Sequence, residues 1–417
     1  MLLAVALGAG CNGQSLETDV APASASSVAS GELSWWSRAA IDAYLRYSVW
    51  SGTRSGFVAL FARDGVPVYA TTAGWKDIEN AQPMRLDTPV RLTSMTKPVT
   101  AVAAMILVEE GRLDLDDPVA KYIPAFATPR VVTSETPDSN GNFATRPAAS
   151  PILVRHLLMF SSGIGAGIGE QSALVDYWQK HGMDELEEGS LAQRVEHMAQ
   201  LPLFEEPGTR WRYGWSADVL ARVVEVASGQ PISDFMQQRI FNPLGMNSTC
   251  YLVYTPDPTA LATVYTQDEN GDLVHAPLLA DTNWTPGGSG LVATAGDYMR
   301  FALMLWNRGE YQGVRILAEE TVDAMTRLQV PSGVLAANDI EGMGWGLGLS
   351  VVADADATLT PDRSGDYWWA GYYGTTFFVS PSTGLVGVIL SQNEPGEYSG
   401  LPLAVYLVQG LAFAGID

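Results

Sequence analysis

Ser94 and Lys97, three residues apart, are the pair in this sequence whose types and spacing suit covalent catalysis. Residues at this spacing share one face of a helix, so the lysine amine can reach the serine hydroxyl. Serine becomes a nucleophile when a neighbouring base accepts its proton, and an uncharged lysine amine is such a base. At a helix N-terminus, free backbone N–H groups would also face a developing oxyanion. The pair alone fits a helix cap followed by a solvated lysine equally well, so its context decides.

The surrounding pattern places this pair at the start of a helix in a chain of mixed helices and strands. Helical spacing continues from Ser94 to Glu110 and stops at Gly111. Two β-rich runs, 56–63 and 66–74, flank Asp64-Gly65 and predict a hairpin. Further helices are predicted over 35–49, 191–201, 216–228 and 401–413, and further strands over 346–352, 375–380 and 385–391.

Strands at both ends with helices between them predict a discontinuous domain. We expect an α/β (α+β) domain formed by 35–92 and 285–417, with a mainly helical domain, 93–284, inserted into it. No internal repeat interrupts this arrangement.

The N-terminal residues predict export. Residues 1–11 form an apolar run that ends at Cys11 and is too short to span a membrane; it resembles the end of a bacterial lipoprotein signal, in which the cysteine receives lipid. Residues 12–34 are rich in Ser and Ala and predict a flexible linker. These features predict a periplasmic or membrane-anchored lipoprotein, or otherwise a secreted protein. The alternative is a frayed N-terminus without a processing role.

Composition excludes several function classes. The 417 residues are 47% hydrophobic and carry a net charge of −22, which disfavours binding to nucleic acid or to anionic lipid. Four scattered His and two Cys show no metal-ligand spacing, so we expect neither a metal nor another cofactor. The expected partner is a small uncharged molecule, and a membrane contact is expected only through the lipid anchor.

Ordered motifs along the chain resemble the serine β-lactamase-like superfamily. This superfamily includes class C β-lactamases, D-alanyl-D-alanine peptidases and family VIII carboxylesterases. The active-site helix is matched by T-S-M-T-K-P-V-T at 93–100, and further matches lie at 107–119, 155–158, 161–163, 243–246, 287–291, 294 and 297–298. The resemblance covers nearly all of 56–391. It implies a β-lactamase/transpeptidase-like fold, with an antiparallel sheet flanked by helices and an inserted mainly helical domain.

A second motif, W-R-Y-G-W-S at 211–216, stands where the family has Tyr-x-Asn or Tyr-Ser-x. By this resemblance Tyr213 supplies a phenolic oxygen beside Lys97 that takes the serine proton and returns it to the leaving group. Trp215 occupies the place of the β-lactamase asparagine. Its indole implies an apolar or stacking wall instead of an amide hydrogen bond.

A third motif, W-A-G-Y at 369–372, stands where β-lactamases and peptidases carry Lys-Thr-Gly and family VIII esterases have Trp-Gly-Gly. The resemblance implies an oxyanion hole made of the backbone N–H groups of Ser94 and Tyr372. The missing lysine would have paired with the carboxylate of a β-lactam or a peptide. An aromatic cleft for an uncharged ester is therefore expected, lined by Trp215, Trp369, Ala370, Gly371 and Tyr373.

These motifs predict a serine carboxylesterase of the EC 3.1.1 type, most similar to family VIII. The acyl-enzyme would form on Ser94, with Lys97 and Tyr213 as general base and acid. The runner-up is a β-lactamase or a penicillin-binding D,D-peptidase, and a third alternative is a catalytically silent binding protein of the cell envelope. The oligomeric state, the acyl-chain length and the stereochemistry of the substrate stay open at this point.

Overall fold

The computed structural model describes residues 32–165, 171–184, 189–277, 284–330, 341–358, 361–395 and 403–416. The predicted lipidation site Cys11 and most of the predicted linker lie outside the described residues. Residues Gly31–Asp417 form one compact unit, and the predicted division into two domains stays a prediction.

The helices are named here in chain order. They are α1 (Trp35–Trp50), α2 (Thr96–Glu109), α3 (Val154–Leu158), α4 (Ala173–Trp178), α5 (Leu191–Met198), α6 (Ser216–Ser228), α7 (Ile232–Met236), α8 (Asn242–Leu244), α9 (Ala295–Trp306), α10 (Glu319–Thr326) and α11 (Leu403–Ala414). Short 3₁₀ turns cover Thr93–Met95, Val119–Lys121, Pro124–Ala127, Leu252–Tyr254 and Pro258–Ala260, and π-helical turns cover Gln179–Asp184 and Gln237–Phe241.

The strands are short outside the central sheet. They are β1 (Gly56–Arg63), β2 (Val66–Asp77), β3 (Gln82–Pro83), β4 (Val90–Arg91), β5 (Arg130–Val132), β6 (Thr145–Pro147), β7 (Cys250–Tyr251), β8 (Tyr265–Gln267), β9 (Leu273–His275), β10 (Leu291–Ala293), β11 (Glu310–Tyr311), β12 (Val314–Arg315), β13 (Met343–Trp345), β14 (Ser350–Val352), β15 (Tyr367–Gly371), β16 (Thr375–Ser380) and β17 (Leu385–Leu390).

Eight strands form an antiparallel sheet in the order β13-β14-β15-β16-β17-β1-β2-β3. Its two halves come from opposite ends of the chain and meet where β1 pairs with β17, Val58 opposite Leu390. The β1–β2 turn forms as the sequence predicts, because Asp64 and Gly65 both adopt the positive φ that a tight hairpin turn requires. The predicted fold class, an antiparallel sheet flanked by helices, is confirmed.

Both faces of the sheet are covered. Residues of α1 and α11 pack on one face, in a cluster that includes Ile41, Leu45 and Phe413. On the other face lies α9, which contacts β1, β16 and β17. The same core cluster contains α2, in which every residue from Thr96 to Leu107 is buried. Because nearly the whole helix is buried, the position of α2 and of its first turn is fixed by the surrounding elements.

One predicted strand is wrong in its extent. The sequence indicates a continuous strand over 346–352, but the structure has β13 before this stretch and β14 only from Ser350. The residues between form a turn in which the Gly346 N–H donates to the Leu349 carbonyl at 2.9 Å. Gly348 has φ +86°, and a Cβ there would lie 2.2 Å from the Ala101 side chain. The glycines therefore bring this turn against α2 instead of extending a strand.

Candidate active site

Ser94 lies in the 3₁₀ turn that leads directly into α2. The preceding residue, Thr93, has φ +47°, which is strained for a β-branched side chain. Two hydrogen bonds hold the chain just before it: the Leu92 N–H donates to the Leu291 carbonyl at 2.9 Å, and the Thr375 hydroxyl donates to the Leu92 carbonyl at 3.0 Å. The surrounding strands thus impose the sharp turn that presents the serine hydroxyl.

Lys97 is buried one helical turn after the serine. Its Nζ atom donates to Ser94 Oγ at 3.0 Å and to the Gly288 carbonyl at 2.8 Å. The carbonyl comes from the segment just before β10, so the position of the amine depends on elements other than its own helix. The structure therefore places the predicted pair in direct contact.

Tyr213 approaches the same hydroxyl from the segment before α6 and donates to Ser94 Oγ at 2.7 Å. Lys97 Nζ lies 4.6 Å from the centroid of its ring. The ring is held by aromatic neighbours, with centroid distances of 5.4 Å to Phe160, 6.2 Å to Trp211 and 5.5 Å to Trp369. Such contacts fix the ring plane, and hence the phenolic oxygen, without using the hydroxyl.

The glycine loop behind Lys97 lies between two helices. The Thr100 hydroxyl donates to the Gly287 carbonyl at 2.7 Å from α2, and a Cβ on Gly287 would lie 2.1 Å from the Ala217 carbonyl of α6. Glycine is required at Gly287 for this close approach. The G-G-S-G-L motif at 287–291 thereby has a structural reason: it lets the Gly288 carbonyl reach the lysine.

Asp218 is a feature of this centre that sequence reasoning missed. It lies in the first turn of α6, is buried, and accepts a hydrogen bond from the Gly288 N–H at 3.2 Å. Burial raises the pKa of its carboxyl to about 6, although the Lys97 charge and backbone N–H donors pull the pKa down. The sequence offered only its position five residues after Tyr213 as an indication of a role. An aspartate in the first turn of a helix is too common to indicate a site.

The edge of β15 forms the opposite side of the site. A Cβ on Gly371 would lie 2.2 Å from the Leu92 carbonyl and 2.4 Å from Thr93 Oγ1. The strand is thus in backbone contact with the turn that carries Ser94, and Tyr372 is the next residue along the chain. This contact brings the two predicted oxyanion-hole segments together.

Trp369, a residue of β15, lies beside the serine centre, as the sequence predicts. Its ring centroid is 4.6 Å from that of Trp345, in an edge-to-face arrangement, and it also contacts Tyr213. Trp215 lies at the start of α6, where a Cβ on Gly165 would be 2.2 Å from its Cδ1 atom. The two half-buried indoles therefore belong to different sides of the centre.

Two predicted contact residues take other positions. Side chains alternate along a strand, so Ala370 points away from the face of Trp369, together with Trp368, whose ring lies against Tyr406 of α11. Its methyl group therefore does not narrow the cleft. Tyr373 is buried against Val264, so its side chain does not line the cleft. A substrate contact by either residue stays a prediction, because the resemblance gave a position in sequence but no side-chain direction.

Aromatic support was the second feature missed by sequence reasoning. Phe160, Trp211 and Trp345 are buried and contact one another or Tyr213. They come from three distant segments, so no local spacing could have grouped them. Near them the Ser162 and Ser216 hydroxyls share a hydrogen bond of 2.8 Å, which joins the S-S-G motif at 161–163 to the start of α6.

The antiparallel sheet, the buried helix and the hydrogen-bonded serine at its start define a β-lactamase-like serine protein. The chain belongs to the Beta-lactamase family, whose model matches residues 39–409. The superfamily resemblance predicted from the motifs is thereby confirmed.

Similar proteins include esterases. The chain is 33% identical to Protein Rv1367c of Mycobacterium tuberculosis, with 83% of this chain and 87% of the relative covered. It is 32% identical to Esterase EstB of Burkholderia gladioli, with 84% and 89% covered. Among solved structures it is similar to EstCE1, described as a hydrolase with promiscuous acyltransferase activity. That match has a TM-score of 0.77 at 28% identity and covers 92% of this chain and 99% of the other.

Proposed function

We propose that the protein is a serine carboxylesterase that forms an acyl-enzyme on Ser94. One observation carries the proposal: both Lys97 Nζ, at 3.0 Å, and the Tyr213 hydroxyl, at 2.7 Å, are hydrogen-bonded to Ser94 Oγ. A serine with two proton-handling groups in contact is arranged for nucleophilic catalysis. The name of the relative EstB supports an ester as the substrate class.

The reaction proceeds in two halves. Ser94 Oγ bonds to the ester carbonyl carbon while its proton passes to the pair of Lys97 and Tyr213, which returns the proton to the alcohol oxygen as the C–O bond breaks. Water then attacks the acyl-enzyme along the same proton path, so that the acid and the free serine are released. The backbone N–H groups of Ser94 and Tyr372 hold the carbonyl oxygen as it becomes negative.

The aromatic side of the centre supports an uncharged ester. Trp369 stands where a cation would bind a substrate carboxylate, and Trp215 adds a second indole. Neither side chain offers a charge-assisted hydrogen bond, which would be worth about 1.5–3 kcal/mol. A small neutral ester is therefore preferred over a β-lactam or a peptide, both of which carry a carboxylate near the scissile bond.

Acyl transfer to an alcohol is a second candidate activity. EstCE1 is described as having promiscuous acyltransferase activity. The acyl-enzyme that water hydrolyses can equally be attacked by an alcohol, with the same base taking its proton. Adding a primary alcohol to an ester assay and measuring the new ester distinguishes transfer from hydrolysis.

The decisive experiment compares p-nitrophenyl esters of graded acyl length with a chromogenic cephalosporin. The proposal predicts turnover of the short neutral esters and a much lower kcat/KM for the cephalosporin. Faster turnover of the cephalosporin would favour the β-lactamase alternative. Turnover of neither, in a folded protein that no phosphonate labels, would favour a catalytically silent binding protein.

Export as a Cys11 lipoprotein is part of the same proposal. Its support is the apolar run before this cysteine. Expressed in a bacterial host from its own gene, the wild type should partition into the detergent phase and the Cys11→Ala variant should not. Aqueous partitioning of both proteins would reject it.

A further inference from the structure

The outward face of α1 is unusually aromatic. Trp35 and Trp50 are 74% and 82% exposed, and Trp36 and Tyr47 are exposed as well. The chain has 12 Trp, and these three are the exposed ones. The opposite face of the helix is buried through Ser37, Ile41, Leu45 and Ser48.

These aromatic side chains lie along one strip of the α1 surface, as one pair near each end of the helix. At 3.6 residues per turn, the four exposed positions fall within an arc of about 120° along a helix about 24 Å long. The rest of the strip consists of Ala39, Ala43 and one exposed cation, Arg46. The small alanines leave the rings projecting from the surface.

We propose that this strip, defined by Trp35, Trp36, Tyr47 and Trp50, lies in the headgroup region of a lipid bilayer. Indole and phenol groups prefer this region because their rings are apolar while their N–H and O–H groups remain hydrated. Arg46 lies among them, where its guanidinium meets lipid phosphate. The net charge of −22 favours zwitterionic over anionic lipid.

The size of the strip argues against a second copy of the chain as its partner. A surface about 24 Å long and about 10 Å wide covers about 240 Å². A stable protein interface buries about 800 Å² on each partner. A bilayer has no such minimum, and residues 12–34, which separate α1 from Cys11, span at most about 80 Å even when fully extended.

The test uses the full chain with Cys11→Ala, so that no lipid anchor contributes. This protein should co-sediment with phosphatidylcholine vesicles, and Trp35→Ser with Trp50→Ser should lower its partition coefficient by about tenfold or more, since each buried indole contributes to binding. Tyr254→Ser is the matched control, because Tyr254 is exposed outside α1. It should leave binding unchanged, and all variants should hydrolyse a soluble ester at the same rate.

Two results would overturn this proposal. One is that the Cys11→Ala protein stays in the supernatant at every lipid concentration. The other is sedimentation velocity showing a dimer that the double substitution converts to a monomer without any effect on vesicle binding. The second result would assign the strip to a second copy of the chain.

Asp218 carries a second, independent inference, which rests on the proposed esterase function. Its carboxylate accepts a hydrogen bond from the Gly288 N–H, while the Gly288 carbonyl accepts one from Lys97 Nζ. A Cβ on Gly288 would lie 3.0 Å from Asp218 Oδ2 and 3.4 Å from Lys97 Nζ. The two charged groups thus lie on the same side of one glycine.

We infer that Asp218 is a positioning residue: it orients Gly288 so that the carbonyl holds the Lys97 amine against Ser94, and it faces that amine with a negative charge. The carboxylate does not touch Ser94 and acts through the lysine. Among the described residues, Arg194 of α5 and Tyr251 of β7 also interact electrostatically with it.

The test is Asp218→Asn, which keeps the shape of the side chain but removes its charge. We expect kcat for a neutral ester to fall by about a hundredfold, as for a small misplacement of a catalytic group. The wild type should lose activity as the pH falls through about 6, where Asp218 becomes protonated, and the variant should lack this part of the profile.

Stability separates positioning from a purely structural role. The folded pKa of Asp218 is raised above its ordinary value, so ionisation of this carboxyl lowers stability as the pH rises from about 4 to about 6, and the cost persists above that range. Asp218→Asn should therefore unfold at the same temperature as the wild type or higher at pH 8. Full activity with an unchanged pH profile, or an activity loss explained by unfolding, would overturn the inference.

Asp366→Asn is the matched control, since burial also raises the pKa of Asp366 to about 6 but its carboxylate accepts from the Arg363 N–H. This variant should retain the loss of activity that the wild type shows on the acid side of the pH profile. If Ser94→Ala retains activity, the proposed function fails; if only Asp218→Asn behaves as wild type, the positioning role alone fails.

Discussion

The two sides of the active site are built on different principles. On the α2 and α6 side, Ser94, Lys97 and Tyr213 are joined by directional hydrogen bonds of 2.7 and 3.0 Å. On the β15 side, Trp369 is held by ring contacts, which change little with small displacements. Under the proposed function, the polar side sets whether the reaction occurs, and the aromatic side sets which substrates are accepted.

The largest effect should come from removing the nucleophile. Ser94→Ala should lower kcat for a p-nitrophenyl ester by about 10⁴–10⁶ while the fold is retained. Intact-protein mass spectrometry should show no adduct with a phosphonate, whereas Ser134→Ala, at an exposed loop serine, should be labelled like the wild type. Residual activity near that of the wild type would mean that another residue is the nucleophile.

The proton-handling pair should give the next largest effect. Lys97→Ala and Tyr213→Phe should each slow acylation by about 10²–10⁴ in single-turnover experiments. The double variant should be little worse than the worse single variant, because both residues serve one proton path.

The matched control for the tyrosine is Tyr122→Phe, which also removes a hydroxyl, in this case one that donates to Asp117. It should leave acylation unchanged. If the losses of Lys97→Ala and Tyr213→Phe simply multiply, the two residues do not share a proton path.

The aromatic side should respond in substrate choice. Trp369→Lys should lower kcat/KM for a butyrate ester and raise it for a cephalosporin, by at most about 3 kcal/mol or about a hundredfold. The reason is that the new cation would pair with the lactam carboxylate. Measuring both substrates in both proteins gives the change in preference.

Trp369→Phe separates charge from shape in this comparison. It keeps an aromatic ring against Tyr213 and adds no charge, so the ratio of ester to cephalosporin turnover should stay near that of the wild type. An equal shift in both Trp369 variants would show that the volume of the indole, and not the missing cation, sets substrate choice.

The smallest effect concerns the contact between the two sides. Gly371→Ala places a Cβ 2.2 Å from the Leu92 carbonyl, so the strand must move, and the free energy of unfolding should fall by about 1–3 kcal/mol. Gly296→Ala is the control: apart from its chain neighbours and the backbone of α9, no atom lies within 4 Å of its Cβ position, and stability should rise by about 0.5–1 kcal/mol. Equal stability of the two variants in denaturant titrations would contradict this tight contact.

Sequence reasoning succeeded where the determinants are local. The bounds of α6 were predicted from helical spacing and from Gly229, which adopts the left-handed conformation that ends the helix. The Ser94–Lys97 contact follows from helix geometry alone. The position of Tyr213 needed the family resemblance, because no spacing relates it to α2.

What could not be predicted depends on tertiary direction. The three-stranded sheet β4-β10-β7 has strands of two or three residues, too short for any periodic pattern. Ala370 and Tyr373 were placed in the cleft because only their sequence positions were known. Asp218 takes its importance from Gly288, which lies on a distant part of the chain.

The pairing of β1 with β17 determines when the central sheet can be completed during synthesis. More than 300 residues separate the two strands, so a ribosome adding about 5–20 residues per second needs about 15–60 s to complete the sheet. During that interval the edge of β1 that later pairs with β17 is unpaired, so it can pair with other chains. This edge of the sheet is therefore open to aggregation until β17 has been made.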